Sequence, residues 1–217
     1  VEHKGDIAWI RLNRPDRMNA YDGAMAKELI AAVEGASESG VIVLTGAGRA
    51  FCAGGYLANL SKADPAALRK MFYGSLHVYE AIRNSPRPVI AAVNGAAAGG
   101  GNELVVACDL VFAAQSARIG DAHSNFGVFP GAGGAAVMPG RIGMNRAKYL
   151  LFTGDHFSAT EMMEMGLVNR VTPDAELVAE VDAFVVKLAQ KSPAVLRRMK
   201  AVANRSIDQS QQAALTD

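Results

Sequence analysis

The stretch PVIAAVNGAAAGGGNELVVACD, residues 88–109, decides the fold of this chain. Val89–Val93 is a short apolar run behind a proline, and Asn94-Gly95 is a strong turn signal, so we predict a buried strand that ends there. Gly99–Gly101 and the apolar run Asn102–Cys108 come next and predict a helix that begins at the glycines. The sequence therefore predicts a strand that delivers a glycine triplet to the start of a helix.

The glycine triplet indicates an anion site built from backbone. The first N–H groups of a helix have no partner within the helix, and they carry the positive end of its dipole. Because glycine has no side chain, these N–H groups can closely approach an oxygen that becomes negative, which is what an oxyanion hole requires. The alternative is that the glycines only let the helix pack tightly against the strand.

A second predicted strand also runs into exposed backbone. Val41–Thr45 is an apolar run typical of a buried strand, and residues 46–57, GAGRAFCAGGYL, follow it. Together with residues 88–110, this segment resembles the crotonase family, which is the enoyl-CoA hydratase/isomerase superfamily. The resemblance covers nearly the whole chain, with LNRPDRMNA (12–20), FGVFPGAGG (126–134), RAKYLLFTG (146–154) and GLVNRV (166–171) as its further segments.

Composition limits the classes of function. The 217 residues are 50% hydrophobic and 20% charged, which is typical of a globular protein. A net charge of +1 gives no overall field that attracts nucleic acid or an anionic membrane, so we expect neither as a partner. Cys52 and Cys108 form no CxxC or CxxH pattern, which argues against a disulfide scaffold or a zinc site and favours a cytoplasmic protein.

Other chemistries have weaker support. The sequence has no GxSxG, HExxH or GxxxxGK[ST] motif. Gly131–Ala136 fits the loose dinucleotide pattern GxGxxA, but it follows Phe129-Pro130 and not a clean strand, so a Rossmann site is not expected.

The order of the predicted elements indicates an α/β fold. Ile7–Asn13 alternates like a half-buried strand, Ala24–Val33 has helical spacing, and the strand Val41–Thr45 follows, a unit that forms parallel sheet. Further along we predict a helix at 68–82, a strand at 110–113, a segment without regular pattern at 127–143, a helix with capping-box spacing at 158–166, a strand at 168–171 and a final long helix at 177–188.

The resemblance implies how these elements assemble. They are expected to form a crotonase-like spiral of ββα turns at residues 1–140, which carries the oxyanion loops. Residues 141–217 are expected to form a helical C-terminal region that packs across subunits of a homotrimer or a hexamer. The chain is a few tens of residues shorter than a typical member. We therefore expect the lid and a further basic contact to come from residues beyond 217 or from a neighbouring subunit.

The resemblance also implies a mechanism, one that is typical of fatty acid metabolism. Crotonase-like enzymes bind an acyl-CoA and hold its thioester oxygen with two backbone N–H groups, which match Gly55 and Gly100. The hydratases of the family use two glutamates to add water across the α,β double bond, and the first matches Glu103. Its side chain leans back toward the helix N-terminus, beside the predicted oxyanion donors. No metal and no cofactor is expected, because coenzyme A enters as part of the substrate.

The second glutamate is missing, and His123 stands at the matching position. Histidine can act as a general acid or base near neutral pH. A branch of the family that cleaves C–C bonds of β-diketones by a retro-Claisen route uses a histidine near this position, with an aspartate that matches Ala132 here. Asp121 is an alternative partner. Three interpretations stay open: a hydratase or isomerase, a diketone hydrolase, and a family member that binds acyl-CoA without turnover. For His123 alone, a loop histidine bonded to backbone is the further alternative.

Five positions are expected from the resemblance to contact the substrate. Arg17 stands where the family has a basic residue near the nucleotide phosphates, and the alternative is an exposed loop charge. Residues 51–57 would offer backbone to the adenine, and this loop contains three expected substrate contacts, Ala53, Tyr56 and Leu57. Tyr56 replaces an aspartate of many members and is expected to line the acyl pocket. Gly131 is the fifth expected contact.

Overall fold

The computed structural model describes residues 1–55 and 64–208. The strands are Glu2–Lys4 (β1), Ile7–Leu12 (β2), Val41–Gly46 (β3), Ala50–Cys52 (β4), Val89–Val93 (β5), Ala96–Ala98 (β6), Leu110–Ala114 (β7), Arg118–Gly120 (β8), Phe157–Ser158 (β9) and Arg170–Thr172 (β10). The helices are Gly23–Gly35 (α1), Pro65–Asn84 (α2), Gly100–Ala107 (α3), Gly134–Ile142 (α4), Met144–Thr153 (α5), Ala159–Met165 (α6), Leu177–Ala189 (α7) and Pro193–Asp208 (α8).

Within the described ranges, the strands form two sheets. The larger sheet has the order β1-β2-β3-β5-β7-β10, and its strands are parallel except β1, which is antiparallel to β2. The smaller sheet has the order β4-β6-β8-β9, with β4, β6 and β8 parallel. Strands β3, β5 and β7 are each followed by a short strand of the smaller sheet. Each pass of the chain thus adds one strand to both sheets before the next helix, which confirms the spiral of ββα turns.

The middle of the larger sheet is the core of the molecule. Every residue of β3 and β5 is buried, because neighbouring strands and helices cover them on both faces. Such strands are typically continuous apolar runs. The prediction that β2 is half-buried was wrong, since only Arg11 of Ile7–Leu12 is exposed. Helix α7 covers that strand, and Asp182 on α7 accepts a hydrogen bond from the Trp9 indole N–H at 3.1 Å.

The turn after β5 joins the two sheets. The Asn94 side chain accepts a hydrogen bond from the Gly46 N–H at 3.0 Å and donates one to the Gly48 carbonyl at 2.9 Å. A Cβ on Gly95 would overlap the Arg49 carbonyl, so only glycine fits where β6 starts beside β4. The predicted turn is confirmed, and it places the start of α3 next to the end of β4.

Two predictions about helices were wrong. Residues 134–142 form α4 although they contain Pro139, because Met138 and Ile142 are buried and tertiary packing outweighs the weak local pattern. The helix at 177–188 is not the last one, since α8 follows it. Lys200 on α8 pairs with Asp109 at the end of the central segment, at 2.8 Å, which fixes that basic helix to the core.

The remaining elements of the C-terminal half follow their predictions closely. Ser158 and Glu161 form the expected capping box, and α6 ends at Gly166, whose φ is 99°. The predicted strand at 168–171 is observed as β10, parallel to β7. Among the described helices, none combines the length and the apolar character that a membrane span needs. The division into residues 1–140 and 141–217 stays a prediction.

Candidate active site

The predicted oxyanion glycines lie where two strand ends of the smaller sheet meet. The end of β4 leads to Gly54 and Gly55, and the end of β6 leads to Gly99 and Gly100. A Cβ on Gly54 would lie 2.8 Å from the Gly100 nitrogen, and a Cβ on Gly100 would lie 3.3 Å from the Gly55 nitrogen. The two segments can therefore approach this closely only as glycine backbone, which brings the nitrogens of Gly55 and Gly100 close together.

The glycines of the triplet differ in what they do. Gly99 has φ 53° and ψ −120°, a conformation that essentially only glycine adopts, and it turns the chain from β6 into α3. A Cβ on Gly101 would overlap the Cys52 carbonyl, so this glycine lets α3 pack against β4. Gly100 lies between them as the first residue of α3, where the helix provides no acceptor for its N–H.

A cavity of about 380 Å³ opens over the N-terminus of α3. Its walls are mainly small and apolar groups, and they include six of the predicted site residues: Ala53, Gly55, Gly100, Glu103, His123 and Gly131. A concave apolar site with a few polar groups that converge is typical of an enzyme pocket. Residues from widely separated parts of the sequence are thus brought together in one place.

The other three predicted residues are placed differently. Arg17 is on the short 3-10 helix Pro15–Arg17, with its side chain 44% exposed and 3.7 Å from Asp16, and it is not among the residues that line the cavity. Tyr56 and Leu57 lie outside the described residues.

Glu103 is buried, with 3% of its surface exposed. Its Oε1 accepts hydrogen bonds from the N–H groups of Ala132 (2.8 Å) and Gly134 (3.0 Å). Its Oε2 lies 3.9 Å from Nε2 of His123. Burial raises the pKa of the Glu103 carboxyl above its usual range, although the two N–H donors and the charge of His123 oppose this shift. One oxygen is therefore fixed by backbone, and the other faces the histidine.

His123 is held by a buried carboxylate. Its Nδ1 lies 2.7 Å from Oδ1 of Asp121, which is fully buried and also accepts the His123 backbone N–H at 3.3 Å. Between them Ala122 has φ 60°, a strained conformation for a residue with a Cβ, of the kind that occurs at functional sites. Because the carboxylate accepts a hydrogen bond from the Nδ1–H group, Nε2 is the nitrogen that faces Glu103.

The surroundings of His123 act on its pKa in opposite directions. Burial lowers the pKa of the imidazole, but the hydrogen bond that Nδ1–H donates to Asp121, the charge of Asp121 and the charge of Glu103 outweigh it, so the pKa lies above its ordinary value. The cationic form is favoured as a result. Gly134 is needed where the two carboxylates converge, since a Cβ there would lie 2.9 Å from Asp121 Oδ2 and 3.2 Å from Glu103 Oε1.

Tyr21 and Ser75 are polar residues of this cavity that the sequence pattern did not identify. Tyr21 has 5% of its surface exposed. The sequence signal that could have found Tyr21 is its position beside a helix cap. The neighbouring Asp22 caps α1 by accepting hydrogen bonds from the N–H groups of Ala24 and Met25. A chain segment fixed by such a cap is rigid enough to hold a functional side chain.

The arrangement suits proton transfer next to a polarised carbonyl group. Two backbone N–H groups can hold an oxygen that gains negative charge, while a carboxylate and an imidazole face each other beside it. In the described part of the chain, no group of three or more His, Cys, Asp or Glu side chains is placed to hold a metal ion.

Known proteins resemble this chain along almost its entire length. The sequence model of the family described as Enoyl-CoA hydratase/isomerase matches residues 2–217. A short-chain-enoyl-CoA hydratase of Clostridium acetobutylicum is 33% identical over 95% of this chain and 81% of the relative, and a crotonyl-CoA hydratase of Syntrophomonas wolfei is 34% identical over 94% and 80%. The crystal structure of an enoyl-CoA hydratase from Bacillus anthracis superposes with a TM-score of 0.95 at 34% identity, and the match covers 100% of this chain and 85% of that one. The chain is therefore an enzyme of the enoyl-CoA hydratase/isomerase family, within the crotonase superfamily.

Proposed function

We propose that this enzyme adds water reversibly to the double bond of an enoyl-CoA thioester. The observation that carries the proposal is the 3.9 Å separation of Glu103 Oε2 and His123 Nε2 beside the paired N–H groups of Gly55 and Gly100. The names of the similar proteins, which include a short-chain-enoyl-CoA hydratase and a crotonyl-CoA hydratase, support this substrate class.

The reaction divides between the two side chains. The Glu103 carboxylate takes a proton from water as the water oxygen bonds to Cβ, and the electron pair of the double bond moves toward the thioester oxygen. The N–H groups of Gly55 and Gly100 hold the enolate oxygen that results. The imidazolium of His123 then donates its Nε2 proton to Cα, which completes the addition. Return of the proton from Glu103 to His123, 3.9 Å away, restores the starting state.

The hydrogen bonds of Glu103 and His123 suit each side chain to its role in the proposed reaction. The two backbone donors on Oε1 keep Glu103 from rotating, so that Oε2 stays available to water. Asp121 favours the cationic form of His123, which is the form that can protonate carbon. An enzyme that had lost turnover would have no need to hold two opposed ionisable groups in a buried site, so we favour catalysis over simple acyl-CoA binding.

A second candidate is the retro-Claisen cleavage of a β-diketone, and the Asp121–His123 pair favours it. A neutral His123 oriented by a carboxylate could activate water to attack a ketone carbonyl, and the cleaved carbon would leave as an enolate held by the same N–H groups. The two candidates need different substrates. Assays with crotonyl-CoA and with a cyclic β-diketone therefore separate them.

Contacts with coenzyme A are also part of the proposal. The Ala53 N–H donates to the Met18 carbonyl at 2.9 Å, which ties the turn after Arg17 to the start of the loop that follows β4. This link supports a nucleotide site with Arg17 at its edge and backbone of residues 51–57 beside the adenine. Tyr56 is proposed to line the acyl pocket, and Ala53, Leu57 and Gly131 are proposed as further contacts with the substrate.

We further propose that the protein works as a homotrimer or a dimer of trimers in the cytoplasm. Its C-terminal region, residues 141–217, presents large apolar side chains that are more than half exposed, namely Met144, Tyr149 and Phe152. Exposed apolar groups that lie this close together commonly mark a contact with another protein surface.

A further inference from the structure

The hydroxyl of Tyr21 lies next to Gly55 and Gly100, the two glycines predicted to form the oxyanion hole. The space between these three residues is called the cradle below. The position that a Cβ would take on Gly100 is 2.7 Å from the Tyr21 hydroxyl oxygen and 3.3 Å from the Gly55 nitrogen. The Gly100 nitrogen is two covalent bonds from this point. The Tyr21 hydroxyl oxygen and the nitrogens of Gly55 and Gly100 therefore lie around a single small space that glycine leaves open.

The backbone of Tyr21 is fixed to the segment that carries Gly55. Its N–H donates to the Gly54 carbonyl at 2.9 Å, and Tyr21 forms a parallel bridge with Gly55. Helix α1 begins two residues later, behind its Asp22 cap. The hydroxyl thus belongs to a rigid unit, and a donor held this way needs little reorganisation during a reaction.

A hydrogen bond donated by Ser75 would leave the proton of the Tyr21 hydroxyl available. A phenol has one donor and can accept as well, and Ser75, which also lines the cavity, forms a side-chain hydrogen bond with Tyr21. When the Ser75 hydroxyl donates to the phenol oxygen, the Tyr21 proton can point into the cavity. Burial raises the pKa of Tyr21 far above its ordinary value, so the phenol stays neutral and acts as a donor and not as a base.

We propose that the Tyr21 hydroxyl is a third hydrogen-bond donor to the thioester oxygen, and hence a catalytic residue for enolate formation. The inference rests on the proposed function, because it needs a thioester oxygen between Gly55 and Gly100. The oxyanion hole would then have one side-chain donor, the Tyr21 hydroxyl, in addition to the two backbone N–H groups. Ser75 is a positioning residue that acts through Tyr21.

The test measures the carbonyl stretching frequency of an enoyl-CoA labelled at its thioester carbonyl, bound to wild type and to Tyr21→Phe. Hydrogen bonds to the carbonyl oxygen lower its stretching frequency relative to the unbound thioester. Because the variant lacks one donor, we expect a smaller decrease in frequency in Tyr21→Phe than in wild type. The kcat should fall about tenfold, the effect of one ordinary neutral hydrogen bond, with little change in KM. Ser75→Ala should give a smaller change in the same direction. Tyr73→Phe, at a tyrosine on α2 that is 56% exposed, is the matched control and should match wild type.

The outcomes separate the inference from the proposed function. A wild-type frequency shift that Tyr21→Phe retains in full, with wild-type kcat, overturns the role of Tyr21 and leaves the proposed function intact. A thioester whose carbonyl is not polarised by the wild type overturns both. Because only folded enzyme binds the labelled thioester, the frequency decides the question even if the variant has a lower melting temperature.

Discussion

His123 lies between two carboxylates, with Nδ1 at 2.7 Å from Asp121 Oδ1 and Nε2 at 3.9 Å from Glu103 Oε2. The first contact is a hydrogen bond to a fully buried group, and the second crosses the edge of the cavity. One nitrogen of the histidine is therefore bound to Asp121, and the other faces Glu103. If His123 is the acid of the proposed reaction, we expect the activity of the enzyme to depend on the pKa of this residue.

Asp121→Asn tests the orientation and charge of His123. The activity of the wild type should fall as the pH rises through the pKa of His123, since the proton donor is then lost. The asparagine removes the charge that raises this pKa, so the alkaline limb of the kcat profile should move to lower pH. Asp6→Asn, at an exposed loop position, is the control. An alkaline limb that stays in place in the Asp121 variant would show that His123 is not the titrating group.

Glu103→Gln tests the base. The glutamine Oε1 can keep the hydrogen bonds from Ala132 and Gly134, but it cannot take a proton from water. We expect kcat to fall by at least about 10²-fold, the lower range for loss of a general base. Glu164→Gln on the exposed face of α6 should have wild-type kcat. Retention of wild-type activity by the Glu103 variant would leave Glu103 as a structural carboxylate.

The same variant has an expected signature in stability. Burial raises the folded-state pKa of Glu103, so the folded protein disfavours the ionised form. Wild type should therefore lose stability relative to Glu103→Gln as the pH rises from the ordinary carboxyl pKa through the raised one. Thermal unfolding of both proteins across that range gives the comparison. A melting-temperature difference that does not change with pH would contradict the raised pKa.

Gly100→Val and Gly101→Ala should fail in different ways. A side chain on Gly100 enters the cradle, 2.7 Å from the Tyr21 hydroxyl, so turnover should be lost while circular dichroism still shows a folded protein. A Cβ on Gly101 overlaps the Cys52 carbonyl, so that variant should lose stability first. Gly35→Ala, where a Cβ meets nothing within 4 Å, is the control for both. A folded Gly100→Val with near-wild-type kcat would refute the oxyanion assignment.

The elements with local signals could be predicted from the sequence. Val89–Val93 matched its predicted range, because an apolar run between Pro88 and Asn94-Gly95 specifies a buried strand without reference to the rest of the chain. Helix α4 could not be predicted, since Pro139 disfavours a helix and only packing of Met138 and its neighbours in the core compensates. Short strands such as β6 were missed because three alanines carry no periodicity.

In the candidate site, too, the residues with a local sequence signal could be predicted and the contacts that depend on the fold could not. Gly100 and Glu103 could be proposed from their match to the family's positions, and because both lie on one predicted helix their spacing also places the carboxylate near the glycine. The contact of Glu103 with backbone at Ala132, 29 residues away, depends on the fold and has no local signal. Tyr21 is farther still from Gly100 in the sequence, and only its isolated bridge with Gly55 brings its hydroxyl to the cradle.

The quaternary proposal has a direct test in solution. The chain has a mass of 22.8 kDa, and light scattering at micromolar concentration should give three or six times that value. Phe152→Glu should weaken the assembly if its exposed aromatic ring, 74% accessible in the single chain, lies in the contact. Lys187→Glu on α7 is a charge-change control at a polar surface position. A wild-type monomer at that concentration would contradict the proposal.

The rate of water addition to crotonyl-CoA by wild type, Glu103→Gln and His123→Ala, with a cyclic β-diketone as the second substrate, shows whether Glu103 and His123 act together in hydration. We expect wild type to hydrate crotonyl-CoA and each variant, shown to be folded by circular dichroism, to lose at least about 10²-fold in kcat. Loss of activity in only one variant would indicate a one-base reaction such as isomerisation. Cleavage of the diketone by wild type with no turnover of crotonyl-CoA, or full activity of both variants on crotonyl-CoA, would contradict the account.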